Sequence, residues 1–269
     1  MSPAESKKST KEKAAAARAA AEAEQRRRDR NIRIIGGIAI AVVVGLIIGI
    51  GVIGSRNNSS TVASSLGTEI VNDAALPTGA NGADGDYAWG MPINDAAGKP
   101  TLAIWEDFQC PACAAFEAQY GPAIEKIAAD GIATVIYRPT TFIEKNFPAG
   151  ANPLSSSRAA SAYGCAVDAG KEQGQKFHDI VFANQPAQEG DGWSDDQLIQ
   201  FGKDAGITGD QLTTFESCVK DRKYIQWANN SYLTFQSSNV PGTPALYLNG
   251  KEVPTDAYKD LAGYIAQNS

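Results

Sequence analysis

From Ile34 to Ile53 the chain runs twenty residues without one charge. On a helix that run spans about 30 Å, the hydrocarbon thickness of a bilayer. Arg26-Arg-Arg-Asp-Arg30 flanks its N-terminal side, and positive flanks stay in the cytoplasm. The sequence therefore predicts a single-pass transmembrane helix at 34–53, with residues 1–33 inside and the remainder outside. A cleaved signal peptide is the competing account. Its apolar core is normally about 7–15 residues, the segment ahead of this run is long, and Thr61-Val-Ala63 matches a cleavage site weakly. The uncleaved anchor is the expectation.

Charge divides at the same place. Residues 1–33 hold ten Lys/Arg against five Asp/Glu; the chain totals −6, so that excess, with Arg56, leaves −12 for the rest. An acidic domain excludes nucleic acid as its partner, because phosphate binding needs Lys and Arg; it reads as a solubilising surface. Within the basic tail, Ala14 to Glu24 is rich in helix formers but has no wide apolar face. Residues 54–85, rich in Asn, Ser, Gly and Ala without sustained periodicity, read as a flexible linker. The folded domain is expected over 86–269, opening near Gly90-Met-Pro-Ile-Asn94.

Its informative stretch is Thr101-Leu-Ala-Ile-Trp-Glu-Asp-Phe-Gln-Cys110-Pro-Ala-Cys113. An apolar run reads as a strand, and the residues after it read as a helix, with Phe116, Tyr120, Ile124 and Ile127 on one buried face. Cys110 then sits at the helix start and Cys113 one turn on. Unpaired N–H groups and the positive dipole end there favour a thiolate at Cys110. Cys113 is placed to attack any mixed disulfide formed at Cys110. The other reading is half a zinc site or a staple, but zinc wants four ligands, usually as two close pairs. Cys165 and Cys218 lie 53 residues apart and supply no second pair, and a single histidine makes a His-rich metal site implausible. Gly121-Pro122 should kink the helix, Gly131 should end it, and Ile132 to Tyr137 reads as the next strand. That completes a βαβ unit with the cysteines at the carboxyl end of its first strand, where open α/β sheets place their sites.

From about 140 to 238 the signals are helical. Segments start at Ser155 and Lys171, and Ser194…Gln197 and Thr208…Gln211 both fit capping boxes. Strands return at Gly242 to Val253, where Asn249-Gly250 marks a hairpin. Tyr258, Leu261 and Ile265 then mark a last helix. His178 reads as a surface or interhelical contact, and Trp105 as core. Glu106 and Asp107 point to opposite faces of a strand, so at most one of them faces the thiols.

A strand-borne Cys110-Pro-Ala-Cys113, a helical insertion, and Val240-Pro-Gly-Thr-Pro-Ala-Leu-Tyr-Leu-Asn-Gly250 together resemble the DsbA-like thiol-disulfide oxidoreductases of the thioredoxin superfamily, over roughly residues 98–267. The resemblance implies a thioredoxin fold, α/β, split by a helical subdomain. It implies an extracytoplasmic enzyme that introduces disulfides into exported proteins. By residue, Cys110 matches the nucleophile and Cys113 the buried resolving cysteine. Pro244 matches the cis-proline beside the active site, and Thr243 the residue before it, whose backbone is free to pair with a substrate strand. Two positions depart from the pattern. Relatives often carry His where this chain has Ala112, and many carry a buried acid where it has Ile104; Glu106 and Asp107 are the acids left for proton transfer or tuning. The resemblance therefore implies a Cys110 pKa less depressed than in relatives with the histidine.

In an oxidising compartment Cys165 and Cys218 are expected to form a structural disulfide, a second redox pair or free thiols being the alternatives. No cofactor and no metal are expected. The implied partners are unfolded or exported clients with free thiols, and a membrane protein that reoxidises the pair, DsbB-like or vitamin-K-epoxide-reductase-like, with the chain itself a monomer. A disulfide isomerase or reductase, and a chaperone-like peptide-binding module with structural cysteines, are the alternatives.

Overall fold

The computed structural model describes residues 66–146 and 152–269. Among the described residues no helix is long and apolar enough to cross a membrane; the expected span at 34–53, the tail before it and the first part of the linker lie outside them.

A five-stranded sheet organises the domain, in the order β1-β3-β2-β4-β5. The central strand β2, Thr101–Glu106, is buried from Leu102 onward. It pairs in parallel with β3, Thr134–Pro139, from Thr101↔Thr134 to Glu106↔Pro139. On its other side it runs antiparallel to β4, Ala245–Leu248. The edges are short: β1, Met91–Pro92, and β5, Lys251–Glu252. Asn249 (φ 48°) and Gly250 (φ 78°) make the β4–β5 turn, the left-handed pair a two-residue hairpin demands. β3 begins two residues later than Ile132, because its ladder starts opposite Thr101.

α1, Pro111–Ala129, links β2 to β3 and continues through Pro122. Its inner face buries Phe116, Ile124 and Ile127 against Leu102, Ile104, Val135 and Leu246. Gly131, at φ 63°, follows the helix end. The last helix, α8, Leu261–Asn268, adds Leu261 and Ile265 to this core.

Between β3 and β4 the chain builds the helical insertion: α2 (Phe142–Asn146), α3 (Ser155–Ala169), α4 (Lys171–Ala183), α5 (Asp195–Asp204), α6 (Gly209–Lys220) and α7 (Ile225–Ser237). α3 is buried on nearly all sides, as small residues at most of its positions permit. Ser194 caps α5 with the expected reciprocal box to Gln197. Thr208 does not repeat it: its side chain makes no cap bond, and the Gln211 amide instead donates to the Ala169 carbonyl, which ties α6 to the end of α3. Cys165 of α3 and Cys218 of α6 are joined by a disulfide.

Residues 66–85 differ from the flexible linker expected there. Asn230 bonds both backbone groups of Val71, Asn229 donates to the Gly67 carbonyl, and the Thr78 N–H and hydroxyl both donate to Asp168. Pro77 is buried so tightly over Gly164 that a Cβ there would meet its ring at 2.6 Å. The small polar residues that suggest a linker serve here as hydrogen-bonding and close-packing partners of the insertion.

Candidate active site

β2 ends at Glu106, and the four residues after it carry the backbone into α1. Cys110 is the residue before the helix, with extended backbone (φ −75°, ψ 117°), and Pro111 takes the first turn, where a missing N–H costs nothing. Pro111 and Ala112 are exposed, whereas Cys110 and Cys113 are buried free thiols. Access to the pair is therefore along the helix start.

The loop before β4 comes to the same place. The Cys110 thiol donates to the Thr243 carbonyl at 3.5 Å, and the Thr243–Pro244 bond is cis. The Cys110 pKa is lowered from 9.0 to about 7, chiefly by its hydrogen bond with Cys113 and against the effect of burial; the Thr243 side chain and the first N–H groups of the helix also support the thiolate. Burial, then the neighbouring Cys110, pushes Cys113 well above its ordinary value. The two thiols thus have divided roles: one is half ionised near neutrality, and the other holds its proton.

The acids flanking the strand end are both buried and face different partners. Asp107 lies under the motif. Its Oδ1 accepts from the Gln109 N–H at 2.9 Å and from the Ser156 hydroxyl at 2.6 Å, and its Oδ2 from the Ile143 N–H at 3.0 Å. Gln109 closes the circuit by donating to Ser156. Burial raises the Asp107 carboxyl to about 8, opposed by these donors and reinforced by the charge of Cys110. Glu106 points the other way, to His178 Nε2 at 2.8 Å. His178 is no surface residue: it is fully buried, stacked on Tyr137 and walled by Phe108, Phe182 and Tyr163. Trp105 is core, as expected, with the Arg138 guanidinium over its ring at 4.0 Å.

The profile of the thioredoxin family matches residues 90–267. The chain belongs to that family. Its fold is the thioredoxin-like α/β fold with a helical insertion. Among solved structures it is similar to the reduced disulfide-bond oxidoreductase DsbG of Mycobacterium tuberculosis, at 26% identity and a TM-score of 0.56 over 66% of this chain and 86% of that one. Reduced DsbA from the same organism gives 25% and 0.55, covering 66% and 91%. MdbA, a thiol-disulfide oxidoreductase of Actinomyces oris, gives 18% and 0.58, covering 78% and 97%; at that identity the likeness is one of fold. No curated protein sequence matches the chain.

Within this thioredoxin-family site, sequence reasoning misses the residues supplied by the insertion. Ser156 supports Asp107, and Gln185, just beyond α4, donates to the carbonyls of Phe108 and Cys110 at 2.7 and 3.0 Å. Neither has a local signature, because each acts through a tertiary contact. Glu117, buried on α1 four residues after Cys113, does carry a signal in the sequence: it is a charged residue on the apolar stripe of an amphipathic helix.

Proposed function

We propose that the chain is a membrane-tethered, extracytoplasmic thiol-disulfide oxidoreductase that introduces disulfides into exported proteins. One observation carries the reading: a dithiol at a helix start, with one sulfur near neutral pKa and the other protonated, lies beside the Thr243–Pro244 loop. Similarity to DsbG and DsbA supports disulfide exchange as the chemistry.

In the oxidised enzyme a client thiolate attacks Cys110 Sγ, the Cys110–Cys113 bond breaks, and Cys113 leaves with the electron pair and takes a proton. A second client thiolate attacks the client sulfur of the mixed disulfide and releases Cys110 as thiolate. The client loses two electrons and the site gains them. A membrane partner, DsbB-like or vitamin-K-epoxide-reductase-like, returns the site to the disulfide. Asp107, buried three residues before Cys110 with its carboxyl raised to about 8, is the acid that would buffer the protons, and the Thr243 backbone is the edge on which an extended client segment would pair. The chain acts as a monomer.

A reductase of the same fold is the second reading, favoured by the Cys110 pKa of about 7. That is thioredoxin's range, whereas DsbA lies near 3.5. A reduction potential near −270 mV would assign the reductase and one near −120 mV the oxidase. The chemistry itself is tested by Cys113→Ser expressed in cells. Client proteins should accumulate in mixed disulfides with Cys110; a chaperone-like module with structural cysteines would trap none, and that outcome would overturn the proposal.

A further inference from the structure

Behind the active site, where the helical insertion meets the sheet, three side chains converge. Glu106 ends β2, Glu117 projects from α1, and His178 from α4; one donor atom of each lies within 4.8 Å of the others, and all three residues are buried. The chain's one histidine is here, with Nε2 toward Glu106 and Nδ1 3.1 Å from Asp179 Oδ1.

The hydrogen bonding does not close. Both carboxylate oxygens of Glu117 and Oε2 of Glu106 are buried with no partner among the described residues. The hydroxyls of Tyr137 and Tyr163, whose rings pack on His178, are likewise unpartnered. Nor is the Glu117 carboxylate loosely placed: it folds over Gly121, where a Cβ would meet its Oε2 at 2.9 Å. Native interiors pair such groups, and a cluster of orphans calls for a bound ion or water. Two buried carboxylates facing each other cost much unless positive charge lies between them. His178 can supply one such charge and satisfies one oxygen of Glu106, which leaves Glu117 unanswered.

We infer that Glu106, Glu117 and His178 form a binding site for one divalent transition-metal ion, of which zinc is the prototype. Two carboxylates neutralise a dication. The imidazole ligand favours zinc over calcium or magnesium, which take oxygen, and the two carboxylates make manganese the second metal to try. Asp179 on Nδ1 is the outer partner that a metal-bound histidine usually has, holding Nε2 toward the ion. Metal–ligand bonds of about 2.1 Å put tetrahedral ligands about 3.4 Å apart, so an ion would part the Glu106–His178 hydrogen bond of 2.8 Å and take its place, with the Glu117 carboxylate turned toward it. The ion would join β2, α1 and α4, and so fasten the insertion to the helix that carries the cysteines. The single histidine that argues against a His-rich site says nothing against one built mainly from carboxylates.

The test uses the full, untagged chain with Cys110 and Cys113 oxidised to the disulfide, so that neither thiol can bind metal. After chelator treatment it is incubated with zinc or with manganese, desalted, and analysed for metal content and melting temperature. One equivalent of zinc or manganese should be retained per chain, with a melting temperature raised by several degrees. Glu117→Gln and His178→Gln should each lose the metal and the shift. Retention of neither metal by the wild-type chain overturns the inference without any variant. Undiminished retention by folded Glu117→Gln, judged by circular dichroism, overturns it equally.

Discussion

Raising the pH through neutrality should change what the reduced site is, and the size of the change is set by Cys110. Its pKa falls from 9.0 to about 7, so the folded, reduced protein loses a proton two pH units before the unfolded chain does. Between those values the unfolded state binds more protons, and stability must rise with pH. The contribution is present in full above about 9 and lost as pH falls through about 7. Two pH units correspond to about 3 kcal/mol, an upper figure because the contacts that lower the pKa also involve Cys113. The oxidised protein has no thiol to titrate, so the pH dependence of the difference between reduced and oxidised stability reports the thiols together with the carboxyl of Asp107 that feels them.

The same proton count appears in the reduction potential. Below about pH 7 reduction takes up two protons with two electrons; above it only Cys113 is protonated, because its own pKa is pushed well above 9.0. For a two-electron couple a tenfold change is about 30 mV. The potential should therefore fall by about 60 mV per pH unit below the break and by about 30 mV above it. Equilibration with glutathione buffers across pH 5 to 9 measures both slopes. A break near the ordinary thiol value of about 8.5 would mean that Cys113, Thr243 and the helix start do not support the thiolate. A single slope of about 30 mV per pH unit across the whole range, with no break down to pH 5, would refute the claim that a site with Ala112 is less acidic than the most acidic cysteines.

Three further outcomes can be checked. Ala112 is exposed beside Pro111, so Ala112→His has room for an imidazolium; an opposite charge that close should lower the Cys110 pKa by at least about one unit, read by alkylation rate against pH, and no change would show that position to be electrostatically idle. Ser156→Ala removes the hydroxyl that joins Asp107 to Gln109 and should cost about 1–3 kcal/mol for the buried groups left short of a partner, measured by urea unfolding of the oxidised protein. Replacing both Cys165 and Cys218 by alanine opens a bridge spanning 53 residues and should cost up to about 4 kcal/mol while client exchange at Cys110 continues below the melting temperature; a loss of exchange in the folded variant would give that disulfide a redox part.

The elements are legible where physics is local. An apolar run ending in Cys110-Pro, a Ser194-to-Gln197 box and an Asn249-Gly250 turn each specify backbone within a few residues, and each is where it is expected. Thr208 shows the limit: the same spacing makes no box, because Gln211 finds a tertiary acceptor in Ala169. His178 shows it more sharply. Seventy-two residues separate it from Glu106, and nothing along the chain distinguishes a histidine on a solvent face from one sealed under a sheet. The segment 66–85 reads as a linker for a related reason. Its Asn, Thr, Gly and Pro residues look idle until Asp168, Asn229 and Asn230 are beside them.

These placements bear on how the site is tuned. Ile104, where many relatives have an acid, pairs across the ladders with Tyr137 and Leu246 and is fully buried. It belongs to the apolar core with Leu102, Phe116, Val135 and Leu246. The acid whose carboxyl feels Cys110 is instead Asp107, and of its three donors Ile143 and Ser156 both come from the insertion. Gln185, which holds the Cys110 carbonyl, comes from it as well. The thioredoxin core supplies the thiols and the Thr243 loop, but the insertion supplies two of the three donors to the Asp107 carboxyl. A small shift of α2 or α3 would thus leave the cysteines in place and still move the Asp107 pKa, by lengthening the hydrogen bonds that hold its carboxyl below where burial alone would put it. In the proposed enzyme the Cys110 thiolate would rest on Cys113, Thr243 and the helix start, while the protonation of Asp107 beside it would depend on how the insertion packs on the core.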